Sequence, residues 1–341
     1  MGESATDART LRIEALQQIA RVVGFDAYAW LLTDPETSVG TAPLADVPGL
    51  PALPQLIRLR YLSEVNRWTT LGVGSSGSVG LLQEATGGDL SRSLVWRELL
   101  RRYDVIDVAS MVFRDRFGCW GFLELWRTGS RPFAPAEAAF LAAITGPLTS
   151  ALRRSQASAL IARQPRAGAG RFGPVVLLLS PSLQVRAQTA DTQEYLMALV
   201  PPPEGNPPVP ASAYNVAGQL LAHEAGVDAN PPWARVHLGD GGWVTLRAAR
   251  IAGAAPEMEE DIAVTIEETS SAQRLSLFTR AFGLTPREGE LIGLLATGAD
   301  TRELAHRMFL SEHTVQDHLK SLFGKTATHS RRALLARALG T

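Results

Sequence analysis

Apolar residues set the first pattern in the chain. Leu11, Ile13, Leu16, Ile19, Val22 and Val23 recur at helical spacing over residues 10–24, and Gly24 ends the run. Phe25–Asp34 reads as a strand. Residues 41–92 are rich in Pro, Gly and Ser around one helical stretch at Leu53–Arg67. Val105–Arg127 predicts two strands joined by a turn at Asp115–Gly118, and Ala134–Gln156 an amphipathic helix with Pro135 near its start. Helix, mixed sheet and closing helix describe an α+β domain of sensor size over residues 8–156.

Ala162–Gly173 has the composition of a linker, and residues 157–173 are assigned to it. A second α+β unit spans residues 174–268. Pro174–Ala190 predicts two strands about a turn at Ser180–Ser182, followed by a short helix near Thr192–Leu199. Pro201–Pro210 cannot be regular structure, because proline removes backbone donors. A helix over Ala213–Ala225, a hairpin over Ala234–Ile251 turning at Asp240-Gly241-Gly242, and a strand at Asp261–Glu268 complete it.

From Ser270 onward the pattern is helical throughout. Leu275, Phe278 and Phe282 form one stripe of a connecting helix (269–283) that Gly283 ends. Four further helix starts carry capping chemistry: Thr285 with Glu288, Asp300 with Glu303, Ser311 and Ser330. Two short helices separated by a tight turn make a helix-turn-helix pattern. Val315, Leu319, Leu322 and Phe323 share a buried stripe, expected to pack on Leu304 and Met308. His313, Gln316, Asp317 and Lys320 then point outward together. Gln316 can pair with adenine, and Lys320 with guanine or phosphate. Asp317 can accept from cytosine or simply pair with Lys320.

Leu284–Leu339 resembles the LuxR-type four-helix DNA-binding domain. The marks are Leu284-Thr285-Pro286-Arg287-Glu288, Gly298, Glu303-Leu304-Ala305, Leu310-Ser311, Thr314-Val315, His318, Lys325 and Ser330-Arg331. The resemblance implies a third helix that reads the major groove, with Ser311, His313, Thr314, Gln316, Asp317, Lys320 and Lys325 at the DNA. It also implies dimerisation through the last helix, at Leu334, Leu335 and Ala338. The sequence departs from that pattern at Gln316, where a basic residue is usual, and at Thr326, where an apolar one is. Residues 8–156 resemble a GAF domain, carried by Asp107–Arg127 and Arg131–Leu152. Residues 174–268 resemble a divergent PAS-type fold. Such domains imply small-molecule sensing or dimerisation.

Charge narrows the picture. Thirty-three Lys and Arg against 34 Asp and Glu make a net charge of −1, so nucleic-acid binding must come from a local patch. Within Leu284–Thr341 there are eight basic against six acidic residues, which predicts weak nonspecific binding and reliance on dimerisation. One cysteine, Cys119, excludes a disulfide framework and fits a reducing cytoplasm. The first residues lack a leader pattern. Their match to a myristoylation pattern through Gly2 and Thr6 stands alone, without a polybasic signal.

Candidate chemistry elsewhere excludes more than it names. The first 222 residues contain no histidine, which argues against histidine-ligated haem in front. Cys119-Trp120 lacks the Cys-His pair of bilin-binding GAF domains. His223-Glu224 lacks a second histidine at metalloprotease spacing. The match of Gly72–Gly77 to G-x-G-x-x-G lacks a strand before it and an acid after it. No nucleophile–base pair, metal cluster or phosphate loop stands in context, so neither an enzyme nor a cofactor is expected. Tyr28, Trp30, Trp68, Trp96, Trp120 and Trp126 are the candidate lining of an apolar or aromatic effector pocket, with a plain hydrophobic core as the competing role. Tyr28/Trp30 and Trp120/Phe122 are expected to share a face within each pair by strand alternation.

The expectation is therefore a multidomain chain: a GAF-like sensor, a PAS-like module and an all-α LuxR-type domain at 284–341. Its partners would be promoter DNA, a second copy and a small molecule. The competing reading is an interaction protein whose helix-turn-helix no longer reads DNA.

Overall fold

The computed structural model describes residues 7–74, 77–161, 175–199, 210–238, 242–251 and 260–340. The linker composition at 162–173, the proline run at 201–209 and the hairpin tip at 240–241 lie outside them.

The front of the chain comprises α1 (Ala8–Ala20), β1 (Ala27–Thr33), β2 (Gly40–Asp46), α2 (Leu53–Leu62), β3 (Val79–Leu81), α3 (Leu82–Ala85), α4 (Leu94–Glu98), β4 (Val105–Asp115), β5 (Gly118–Thr128) and α5 (Pro135–Ile161). The middle comprises β6 (Val175–Leu179), β7 (Val185–Gln188), α6 (Thr192–Leu199), α7 (Ala211–Glu224), β8 (Trp233–His237), β9 (Trp243–Arg250) and β10 (Ile262–Glu268). Helices α8 (Ser271–Ala281), α9 (Pro286–Ala296), α10 (Thr301–Met308), α11 (Glu312–Thr326) and α12 (Arg331–Leu339) follow.

Each of the first two units is built on a five-stranded antiparallel sheet. The strand orders, β2-β1-β5-β4-β3 and β7-β6-β10-β9-β8, are the same order repeated. Two strands that the hydrophobic pattern hides, β2 and β3, are the edges of the front sheet. An edge strand needs no long apolar run, and it tolerates Pro43 in the bulge between the Leu32–Thr41 and Trp30–Leu44 pairs.

Alternation divides the front sheet between two layers. Trp30 and Leu32 of β1, Ala109, Met111 and Phe113 of β4, and Leu123 and Leu125 of β5 pack toward α1 and α5. Leu31, Val112 and Phe122 face α2. Trp120 breaks the expected parity. Phe113 pairs with Gly121 and Arg114 with Cys119, leaving Trp120 as the extra residue of a β-bulge. Trp120 therefore lies with the α5-side core while Phe122 lies opposite, and the two do not share a face.

The two sheets are not separate cores. Helix α7 is buried at every residue from Ala211 to Leu220 because it lies between the middle sheet and α2. Gly218 permits this: a Cβ there would stand 2.9 Å from the Tyr61 ring. One hydrophobic cluster thus joins Ile57, Tyr61, Trp68 and Phe122 of the front to Val216, Leu246 and Val264 of the middle.

Two buried ion pairs lock this layer. Arg235 donates from Nε and Nη2 to the carboxylate of Asp34 at 2.7 and 2.9 Å, with both side chains fully excluded from water. Arg67 donates to Asp228 at 2.6 Å, and both side chains are again buried. Removing one member of such a pair leaves a charge in low dielectric. We expect Asp34→Ala to cost about 3–5 kcal/mol in guanidinium unfolding. Because the core is shared, tryptophan fluorescence and far-ultraviolet dichroism should still report one transition; two resolved transitions would show the sheets to be independent.

Candidate nucleic-acid interface

Local chemistry fixes each helix of the last unit. Thr285 and Glu288 cap α9 reciprocally, through Thr285 N–H to Glu288 Oε2 at 2.7 Å and Glu288 N–H to Thr285 Oγ1 at 3.3 Å. Asp300 caps α10 by accepting from Glu303 N–H at 2.8 Å. Ser311 caps α11 through Thr314 N–H at 3.1 Å, and Ser330 caps α12 through Ala333 N–H at 3.1 Å. Helix α10 ends at Phe309 in the left-handed region (φ 56°), and this tight exit turns the chain into α11.

Helix α11 docks by its apolar stripe. Val315, Leu319 and Leu322 are buried with Leu304 and Met308, as their spacing requires. Thr326 is buried where the LuxR pattern is apolar. Its hydroxyl is satisfied by Leu322 O at 2.7 Å and shares a hydrogen bond with Thr328 Oγ1 at 2.9 Å. The opposite face is open to solvent: His313, Gln316, Asp317 and Lys320 are all exposed, and Ser311 stands exposed at its start. Thr314 is half-buried and bonded to Ser311. Asp317 lies 3.6 Å from His313 and 3.4 Å from Lys320. At such exposure these pairs are weak, so Lys320 can leave Asp317 for a phosphate or a base.

Two expected site groups sit differently. Lys325 Nζ donates to both oxygens of Glu288 at 2.8 and 2.7 Å, so its charge is spent inside the domain. Leu334 and Ala338 are fully buried within the chain, against α8 and the core of the helical unit, and Leu335 is half-buried. Neither Leu334 nor Ala338 presents a surface to a second copy in this arrangement.

The aromatic set divides in the same way. Trp30 and Trp120 belong to the α5-side core, and Tyr28 packs against it. Trp68 lies beneath α2, stacked on Phe122 at 4.5 Å, and Trp126 and Trp96 lie with the cluster formed by Leu59, Val95 and Leu99. The six cannot line one cavity, because the sheet itself separates them. Sequence reasoning missed the polar groups on the α2 side: Glu124 is ion-paired with Arg60, which also reaches Ser110 Oγ at 3.3 Å. Arg60 Nε and Trp126 Nε1 are buried without a hydrogen bond. Their sequence signal is a single acid, Glu124, in the apolar run Trp120–Trp126, and Arg58 and Arg60 among the apolar residues of α2. Among the described residues no group of three His, Cys, Asp or Glu side chains could hold a metal ion. No described helix is long and apolar enough to cross a membrane.

A capped scaffold helix, a tight turn and a docked helix with one open polar face define a helix-turn-helix unit. Residues 283–338 match the family of bacterial regulatory proteins, luxR family, so the C-terminal unit is a LuxR-type helix-turn-helix domain. A 60-residue stretch is 40% identical to a probable HTH-type transcriptional regulator, GfsR, of Streptomyces halstedii, covering 18% of this chain and 25% of that protein. A 48-residue stretch is 46% identical to a probable csgAB operon transcriptional regulatory protein of Salmonella typhimurium, covering 14% and 22%. The chain thus spans about a quarter of the length of these relatives. Among solved structures, Escherichia coli SdiA aligns over 99% of this chain and 92% of its own, at 13% identity and a TM-score of 0.31. Vibrio cholerae VqmA aligns over 50% and 83%, at 16% identity and a TM-score of 0.21. Overlays this loose carry no argument about the two sheet units.

Glu288 gives the domain a pH dependence. Burial opposes its charge, but hydrogen bonds from Lys325, Ser321 and Thr285 outweigh that and bring its pKa from 4.5 down to about 2. A depressed carboxylate stabilises the fold above its ordinary pKa, and that stability is lost as pH falls toward the folded value. Glu288→Gln should therefore cost about 1–3 kcal/mol at pH 6. The gap between variant and wild type in thermal melts should close between pH 4.5 and pH 2. A gap that stays constant over that range would show that the charge on Glu288 does not stabilise the domain.

Proposed function

We propose that the protein is a cytoplasmic, one-component transcription regulator that binds promoter DNA as a dimer. A small molecule or partner at the front units would control it. The observation that carries the reading is the open polar face of α11, in which Gln316, Asp317 and Lys320 project from a helix anchored on its other side. Gln316 suits adenine and Lys320 suits guanine or phosphate, while Asp317 limits nonspecific attraction to the phosphate field. Ser311, His313 and Thr314 lie at the helix start, where a phosphate backbone would pass in this reading.

The repeated strand order supports reading the two sheet units as variants of one sensor architecture, GAF-like at 8–156 and PAS-like at 174–268, with the DNA-binding domain at 284–341. Arg60 Nε and Trp126 Nε1, buried without hydrogen bonds beside α2, favour that layer, with Trp68 and Trp126, as the place where an effector acts. In this reading the effector alters how the front units are arranged, and α8 passes the change to the recognition helices.

The test is selection of genomic DNA fragments by the full-length protein at two salt concentrations. A two-fold site should be recovered, and Lys320→Ala should weaken binding to it by about 10- to 100-fold. Asp317→Asn should strengthen binding to unrelated sequence. No enrichment at either salt, with the protein folded, would favour a helix-turn-helix that touches protein instead.

A further inference from the structure

Helix α8 is tied to both sheet units before it reaches the DNA-binding domain. Its N-terminal turn offers Gln273 O to Arg235 Nη1 at 2.7 Å. Arg274 Nη2 donates to Leu160 O at 2.9 Å, and Arg280 Nη1 to Phe117 O at 2.9 Å in the β4–β5 turn. Leu277, Phe278 and Ala281 are buried between α5 and the helical unit. Helix α12 packs on α8 and α5, and among its residues Arg332 alone is exposed. The last helix of the DNA-binding domain is therefore covered by the sensor side of the same chain.

One carboxylate joins all three parts. Glu36, in the turn between β1 and β2, accepts from Arg235 Nη2 of the middle sheet at 3.1 Å and from Ser276 Oγ of α8 at 2.8 Å, and lies 4.0 Å from Arg280 Nε. Its neighbour Asp34 holds the same arginine from a fully buried position. The two acids differ in one respect: Asp34 is sealed from water, whereas the Glu36 and Arg280 side chains are each 36% exposed. Water and ions can compete for Glu36 without disturbing the pair beneath it.

We propose that Glu36 is a latch. It holds α8, and with it α12, in a closed arrangement, and its release frees the DNA-binding domain to take up the geometry that DNA requires. Asp34–Arg235 keeps the two sheets together throughout; release gives up the Glu36 contacts and the Arg235–Gln273 bond of α8 and leaves the sheet core intact. This rests on the reading of the C-terminal domain as DNA-binding, but the latch is tested apart from it.

Amide hydrogen exchange of the full-length protein is compared among wild type, Glu36→Gln and Ser276→Ala. The first variant removes the charge that Arg235 and Arg280 face; the second removes only the hydroxyl of α8. Exchange in α8 and α12 should quicken by about tenfold in Glu36→Gln, and less in Ser276→Ala, while α7 and β10 stay protected. Raising salt should move wild type toward the Glu36→Gln pattern. Binding to the pool of genomic fragments, without added effector, should tighten by about tenfold in Glu36→Gln. Unchanged exchange in α8 and α12 would overturn the latch. So would faster exchange with unchanged affinity in a wild type that binds DNA. If no form of the protein retains DNA, the DNA-binding reading fails, and the exchange result still decides whether Glu36 holds the arm.

Discussion

The ion pair between Asp34 and Arg235 is the constraint on which the architecture turns. Two opposite charges wholly removed from water lose hydration worth several kcal/mol per ion, and only near-ideal geometry offsets the loss. Here Asp34 receives both Nε and Nη2 of the guanidinium and also the backbone N–H of Arg235. An apolar pair of similar volume could match it in stability but would tolerate sliding. A forked guanidinium against a carboxylate does not, because both bonds weaken together when either group shifts. The pair thus fixes β8 of the middle sheet against the β1–β2 turn of the front sheet. Everything that follows in the chain is positioned from that point.

The clearest structure in the sequence was that whose causes are local. Capping boxes, the exit at Gly283 and a helical stripe are relations among residues within a few positions of one another, and α9 to α12 form where those relations place them. Strands β4 and β5 were equally visible, being long, apolar and joined by a tight turn. What stayed hidden depends on distant partners. β2 is a strand because β1 pairs with it, not because Gly40–Asp46 has strand composition. The bulge at Trp120 is set by register against Arg114 and reverses the face that alternation assigns. The burial of α7 on all sides reflects α2, more than 150 residues earlier, and no periodicity in Ala211–Glu224 announces it.

The same distinction separates the candidate site residues. The outward group on α11 was legible because the inward group was: fixing Val315, Leu319 and Leu322 in the core leaves no other direction for Gln316 and Lys320. Lys325 looked similar in sequence, but its partner Glu288 lies on another helix. Leu334 and Ala338 have the spacing of a contact surface. Whether such a stripe meets a second copy or the same chain depends on where α8 lies, which is a property of the whole fold.

A rigid pair of sheets, and an arm whose polar ties include one carboxylate open to water, make a physically sensible division of labour. A signal cannot easily be transmitted by sliding the two sheets, since Asp34–Arg235, Arg67–Asp228 and the α2–α7 packing must all yield at once. An exposed contact is different. Its net worth of about 1–3 kcal/mol lies in the range that an effector can supply through differential binding, corresponding to a shift of roughly 5- to 150-fold between closed and open populations. Placing the breakable carboxylate next to the unbreakable one lets both act on a single arginine. Arg235 can lose Glu36 and remain neutralised by Asp34, so opening creates no buried unpaired charge. Losing Glu36 therefore adds no buried-charge penalty to the cost of parting α8 from α5.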